Sequence, residues 1–395
     1  MSVSIDVLMP LPLNGEGVGY TCSSLIKGMA NPGTHIAVVT PRCSLALPTV
    51  EVVEVLPGWA RYLPYRWVKS RADERLERAF LAHAMPSPAQ GRAAYLWPGA
   101  SGDTIAALRR RGVTVFREQF NCHTGTAKAI LDEAYRRLGA EPLHTISERT
   151  VDEERRTLDA VDRVFCPGPN VEASLLENGV DPAKLLTASY GWDPARIAAN
   201  RRTLQPCDGI TALFVGSICV RKGAHLLLDY WARSGIKGRL VLAGTMEPAI
   251  KDRCSHLLSR DDVVVLDYSR DVGALYKAAD VFLFPTLEEG SPLVVYEACG
   301  AGLPVVTTKM GAGALVRPDC EGEVIDAYDA DTWIAAIRRV AGEDGVRRRM
   351  SRAAGERSQS YIWPAVAERR RRQFEDILAG GRHSPVPATA QELSP

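Results

Sequence analysis

With 395 residues the chain exceeds the size at which one core usually divides, so two domains of ordinary size are expected. Apolar residues make up 46% and charged residues 24%, and 48 Lys plus Arg against 47 Asp plus Glu leave a net charge of +1. That balance excludes a general nucleic-acid footprint, and any anionic ligand must be held by local charge.

In chain order, the opening MSVSIDVLMPLPL lacks a basic start and carries Asp6 inside its apolar run, so no signal peptide is expected. Short apolar runs then alternate with amphipathic stretches, the pattern of parallel sheets covered by helices. In the first half, strands are expected at residues 3–9, 35–40, 50–55, 93–97, 113–117, 162–166 and 184–189. Helices are expected at 18–30, 66–84, 127–138 and 170–177. Residues 193–209, polar and carrying Pro194, Pro206 and Gly209, read as an interdomain linker. A second series follows, with strands at 210–215, 239–243, 263–267, 281–285 and 304–307 and helices at 224–232, 272–278 and 292–299. After a further helical stretch comes a last basic helix, 363–378, with Trp363 and Phe374 as its packing residues. The fold class is therefore α/β, two doubly wound Rossmann-like units facing across a cleft. The first domain takes 1–195 together with 361–379, the second takes 208–360, and 380–395, rich in Pro, Ala and Ser, is expected to be a disordered tail. The nine cysteines stand singly with no CxxC pair, which implies reduced thiols in a cytoplasmic protein. No run reaches the roughly 18 apolar residues that cross a bilayer.

The densest chemistry lies in DVFLFPTLEEGSPLVVYEACGAGLPVVTT, residues 280–308. A buried strand ends at Pro285, a loop carries Glu288 and Glu289, and Ser291 as N-cap with Pro292 at the first helical position should open a helix. Its free N–H groups, approached closely because Gly290 has no side chain, suit sugar hydroxyls or a phosphate oxygen. Glu297 follows on the helix, with seven residues between it and Glu289. Carboxylates accept only, which is what vicinal hydroxyls require. The stretch closely resembles the E-x7-E signature of the GT-B family 4 (glycosyl transferases group 1) retaining glycosyltransferases. The resemblance implies transfer of a sugar from a nucleoside diphosphate to an acceptor hydroxyl, with no cofactor beyond that donor. It assigns Glu289 to the donor sugar, Glu297 to the ribose hydroxyls, and the backbone of Gly290, Ser291 and Pro292 to the sugar pocket. Where many relatives have Gly-Phe-Gly after the first glutamate, this chain has Gly290-Ser291-Pro292, so one backbone donor is missing.

A second signal is Phe214-Val215-Gly216-Ser217 followed by Arg221-Lys222-Gly223. Gly216 lets the backbone approach a ligand, Arg221 can chelate phosphate oxygens, and Lys222 adds a point charge. The resemblance assigns both cations to the diphosphate, where they would stabilise the charge that grows on the leaving group. With protein cations in that role, and no Asp-x-Asp motif in a suitable loop, no essential metal is expected. Between the first strand and first helix stands Asn14-Gly15-Glu16-Gly17-Val18-Gly19; in the resembled family this loop faces the donor across the cleft, which makes Gly17 and Gly19 donor-side candidates. The strand near 113–117 leads into Glu118, Asn121 and His123, and many relatives place a histidine there, so His123 is the first-domain catalytic candidate. Tyr190-Gly191-Trp192-Asp193 resembles the Asn-Gly-Val-Asp motif of relatives and is expected to shape the hinge.

The stretch from Arg61 to Arg78, RYLPYRWVKSRADERLER, reads either as a solvated helix or as a peripheral membrane contact for a lipid-linked acceptor. The acceptor itself, whether carbohydrate, lipid-linked or small molecule, is not encoded in a motif. Alternatives within the same fold are a nucleotide-sugar epimerase, a phosphorylase, which would need a pyridoxal lysine and a longer chain, and a non-catalytic nucleotide-sugar or carbohydrate-binding protein.

Overall fold

The computed structural model describes residues 3–56, 58–59, 63–84, 91–198, 204–267 and 271–380. Arg61 and Tyr62, part of the expected linker (199–203) and the tail beyond Gly380 lie outside the described residues. The first sheet comprises β1 (Val3–Leu8), β2 (Thr34–Thr40), β3 (Glu51–Glu54), β4 (Arg92–Leu96), β5 (Thr114–Glu118), β6 (Arg163–Cys166) and β7 (Leu185–Thr187). They pair in parallel in the order β3-β2-β1-β4-β5-β6-β7. Helices α1 (Gly17–Met29), α2 (Tyr65–Ala84), α3 (Gly102–Arg110), α4 (Thr124–Leu138), α5 (Glu148–Ala160) and α6 (Pro169–Glu177) connect them. Because helices cover both faces, the central strands β1, β4 and β5 are almost wholly buried and read as largely apolar runs rather than alternating ones.

The second sheet, β8 (Ile210–Val215), β9 (Gly238–Ala243), β10 (Val263–Leu266), β11 (Val281–Phe284), β12 (Val305–Thr307) and β13 (Gly322–Val324), is parallel in the order β10-β9-β8-β11-β12-β13. Its helices are α7 (Ala224–Ser234), α8 (Pro248–Arg253), α9 (Ser255–Leu258), α10 (Val272–Ala278), α11 (Leu293–Gly300), α12 (Lys309–Ala312), α13 (Ala330–Gly342) and α14 (Asp344–Ser358). The expected elements are present; α3, α5, α8, α9, α12 and β13 were not foreseen. Helix α5, ERTVDEERRTLDA, buries only Val151 and Leu158, so its apolar stripe is too thin to register as a period. β13 is three residues long and begins with glycine.

The chain crosses between the domains a second time at α15 (Trp363–Leu378), which returns to the first domain and packs along α1. Trp363 and Phe374 are its buried anchors, as expected. Phe374 is wholly enclosed, its ring centroid 4.4 Å from that of Phe116 and 5.1 Å from that of Phe165, a burial contributing about 2 kcal/mol. Beside it Arg370, 1% exposed, bonds the Glu118 carboxylate and the Tyr95 hydroxyl, and Tyr190 donates to the other oxygen of Glu118 at 2.9 Å. Glu118, a secondary site candidate in the sequence, is thus a core partner that docks the returning helix.

The two crossings lie side by side. Trp192 N–H donates to the Tyr361 carbonyl and Trp363 N–H to the Trp192 carbonyl, each at 3.1 Å. A Cβ on Gly191 would stand 2.6 Å from the Tyr361 carbonyl oxygen, which is why glycine precedes Trp192. The expected linker, 193–209, begins with local structure. Pro194–Ile197 form a 3-10 turn capped by Asp193, and Gly273 of α10 approaches it so closely that a Cβ would meet the Arg196 carbonyl at 2.8 Å.

Candidate active site

At the carboxyl end of β8 the backbone turns at Gly216, with φ +128°, and runs through Arg221 and Lys222 into α7. Gly223, with φ +68°, lets this loop lie on the end of β11: a Cβ there would fall 2.0 Å from the Pro285 carbonyl oxygen. The loop is further pinned by Leu287 N–H donating to the Arg221 carbonyl at 2.9 Å. The two motifs recognised separately in the sequence are therefore one site. Arg221 Nη1 lies 3.3 Å from Glu288 Oε2 and 3.2 Å from Glu289 Oε1, and Lys222 Nζ lies 2.7 Å from that same Glu289 oxygen. Burial alone would raise the Glu289 carboxyl, but the charges of Lys222 and Arg221 outweigh it and hold it below the usual range. Its neighbour Glu288 moves the other way, since burial exceeds the help from Arg221.

Helix α11 opens one step later than the sequence suggested. Pro292, with φ −70° and ψ 117°, occupies the cap position rather than the first turn, and no side chain caps the helix. Proline there loses no helical bond, because its missing N–H lies outside the ladder. The Ser291 hydroxyl, expected as the cap, instead pairs with the Tyr296 hydroxyl at 2.9 Å. No side chain takes up the N–H groups of the first turn, and Leu293 and Val294 line the cleft there.

The cleft itself is a cavity of about 1380 Å³ between the domains. Its second-domain wall includes Arg221, Lys222, Glu288, Glu289, Ser291 and Pro292; Gly17, at the start of α1, faces it from the first domain. Gly19, Gly216 and Gly290 do not line it. Gly19 serves packing, since a Cβ would stand 2.7 Å from the Pro12 carbonyl, and Gly290 is where the domains touch, 2.0 Å from the Phe120 carbonyl by the same measure. Glu297, fifth in α11, is 4% exposed and also lies off the cavity wall. Its carboxylate receives the Tyr276 hydroxyl at 3.1 Å and faces Arg196 at 3.3 Å, and burial raises it above the ordinary value despite both. Arg196 in turn stacks over Tyr20 of α1 at 4.4 Å.

His123, the first-domain candidate, also lies off the cavity wall. It stands at the cap of α4, 1% exposed, its Nδ1 accepting from Gly125 N–H at 3.1 Å. Burial depresses its protonation, with Glu154 opposing. The polar group that does line the first-domain lobe was missed: Arg117 contacts Glu154 at 3.2 Å, and Gln119 donates to Glu154 at 2.9 Å. In sequence Glu154 sits within DEERR, which looks like a solvated helix face. Asn121, a secondary candidate, lines the same lobe.

Residues 209–343 match the family model described as glycosyl transferases group 1. The D-inositol 3-phosphate glycosyltransferase of Salinispora tropica is 28% identical over 224 residues, covering 52% of this chain and 46% of the relative. The enzyme of the same name from Saccharomonospora viridis is 29% identical over 259 residues, covering 59% and 60%. The chain thus spans about half the length of the curated relatives it matches. In fold the likeness runs end to end. Sucrose-phosphate synthase from Thermosynechococcus elongatus superposes with a TM-score of 0.69 at 20% identity, covering 96% of this chain and 100% of that one. WaaG, a glycosyltransferase involved in lipopolysaccharide biosynthesis, gives 0.65 at 17%, covering 96% and 100%. Anabaena HepE in complex with UDP and glucose gives 0.66 at 14%, covering 95% and 100%. The second domain thus matches the glycosyl transferases group 1 model, and the whole chain shares the two-domain GT-B fold of these solved structures.

Proposed function

We propose that the chain is a retaining glycosyltransferase that moves a sugar from a nucleoside diphosphate to an acceptor hydroxyl. The observation that carries this reading is the convergence of Arg221 and Lys222 on Glu289 at the wall of the interdomain cavity, beside an uncapped helix start. Two cations held over one carboxylate are placed to receive a diphosphate, and their fixed position stabilises the charge that develops as the glycosidic bond breaks. Glu289 then takes the donor sugar, the leaving phosphate helps to deprotonate the acceptor, and configuration is retained. Glu297 takes the ribose hydroxyls in exchange for its present partners. The cations make a resident metal unnecessary.

The finer assignments follow the relatives. UDP is the first nucleotide to test, because a similar fold is known with UDP and glucose, and D-inositol 3-phosphate is the first acceptor, because the curated relatives carry it in their names. Among the described residues no helix is long and apolar enough to cross a membrane. Peripheral contact is a further part of the proposal. It is supported by Trp67, 66% exposed on α2 among the exposed Arg66, Lys69, Arg71, Arg75 and Arg78, and sedimentation with anionic against neutral vesicles tests it.

A thermal-shift series with UDP-, GDP-, ADP- and dTDP-sugars tests the whole reading, since a ligand bound only by the folded state raises its stability by mass action. One donor should stand out, and transfer with retained configuration should follow. No stabilisation by any nucleotide would overturn the proposal. Binding without hydrolysis or transfer across a broad acceptor panel would make the protein a carbohydrate- or nucleotide-binding module instead.

A further inference from the structure

Two carboxylates bridge the domain boundary in the same way. Glu247, which precedes α8, accepts the Tyr135 hydroxyl of α4 on Oε1 at 2.5 Å and the Val220 backbone N–H on Oε2 at 2.9 Å. Glu288 accepts the Cys122 thiol of the first domain on Oε1 at 3.3 Å and Arg221 on Oε2, also at 3.3 Å. In each case one oxygen holds the opposite domain and the other holds the loop that carries Arg221 and Lys222. Tyr135 and Cys122 are buried at 4% and 2% exposure, so neither finds water as an alternative partner in this arrangement. Burial, and then the charge of Glu288, keep the Cys122 thiol protonated and therefore a donor.

We infer that Glu247 and Glu288 are positioning residues that make the diphosphate-binding geometry of the Arg221–Lys222 loop depend on closure of the two domains. This rests on the donor reading above. When the domains part, Tyr135 and Cys122 withdraw and each carboxylate keeps only its loop partner. The loop then loses the second anchor that fixes its orientation, at the residue beside Arg221 and at Arg221 itself. Closing restores both anchors together, so a donor diphosphate meets fully anchored cations in the closed molecule, while Glu289 and the Leu287–Arg221 backbone bond hold the loop more loosely in the open one. A group that is ordered before its ligand arrives costs less to immobilise on binding. The first domain thereby contributes to phosphate affinity without touching phosphate.

Calorimetry with UDP and with uridine, on the full chain, separates this from ordinary structural support. Tyr135→Phe removes one hydroxyl and keeps the ring in its packing; Cys122→Ala removes the other donor. Each should weaken UDP by about three- to tenfold, the worth of one hydrogen bond, and leave uridine within about twofold. Adding Tyr135→Phe to Glu247→Ala should cost nothing beyond Glu247→Ala alone, because the two act through one contact. Unchanged UDP affinity in both single variants would overturn the inference, as would equal losses for UDP and uridine or additive losses in the double variant. If the wild-type protein does not bind UDP, the UDP assignment fails and this inference with it; wild-type binding that the variants leave intact sinks the inference alone.

Discussion

Arg221 contacts Glu288 and Glu289, and Lys222 contacts Glu289, so a diphosphate that binds these cations must compete with the two carboxylates. Replacing either by alanine should lower transfer rates more than it weakens a nucleoside without phosphates, because the interaction strengthens as charge moves to the leaving group. Steady-state kinetics beside nucleoside titration checks this, and full transfer rates in both variants would remove the loop from the mechanism. Close by, His225 of α7 is buried, neither ring nitrogen has a partner among the described residues, and burial lowers it from 6.5 to about 4. Its folded value lies below its unfolded one, so the unfolded chain takes up the proton first as pH falls. Stability is therefore full above about pH 6.5 and declines toward pH 4, by roughly 3 kcal/mol at most. Urea unfolding at pH 7 and pH 5 should show His225→Leu losing much of that slope; an identical slope in variant and wild type would mean that other groups set it.

At the scale of elements, the decisive one is α15. It carries Arg370 into the core of the first domain, where Glu118, Tyr95 and Tyr190 receive it. Glu118→Ala leaves a guanidinium buried without its counter-charge and should cost about 3–5 kcal/mol, whereas Glu118→Leu with Arg370→Leu should cost far less. Equal losses in denaturant titrations of the two would contradict that account. The same element shows where sequence reading succeeds and stops. Trp363 and Phe374 announce a packing face because they recur on one stripe of one helix, and the cations and glutamates on the second-domain wall of the cavity announce themselves within two short loops. Glu118 and Arg370 meet across 252 positions, and Arg117, Gln119 and Glu154 meet only because β5 and α5 converge. No local pattern encodes such meetings. Ser291 misled for a related reason: a serine before a proline suits an N-cap, but Tyr296 offered its hydroxyl a partner inside the fold.

Across the whole molecule, the domains are in contact, with Asn170 of α6 donating to the Glu289 carbonyl at 2.7 Å and Gly290 pressed on Phe120. If Arg221 and Lys222 neutralise the diphosphate as proposed, transfer should survive excess EDTA. Loss of activity there, restored by Mg²⁺ or Mn²⁺, would show that a metal carries the leaving-group charge instead. The return of α15 has a consequence for the order of assembly on the ribosome. All seven strands of the first sheet emerge before residue 190, yet Glu118 has no counter-charge and Phe116 and Phe165 lack Phe374 until the last helix is made. The second domain, whose own strands and helices end at Ser358, can close its core sooner. The half that is synthesised first is therefore the half that finishes last, and through most of translation it waits with an open apolar face and an unpaired carboxylate for a chaperone or for its own C-terminal helix.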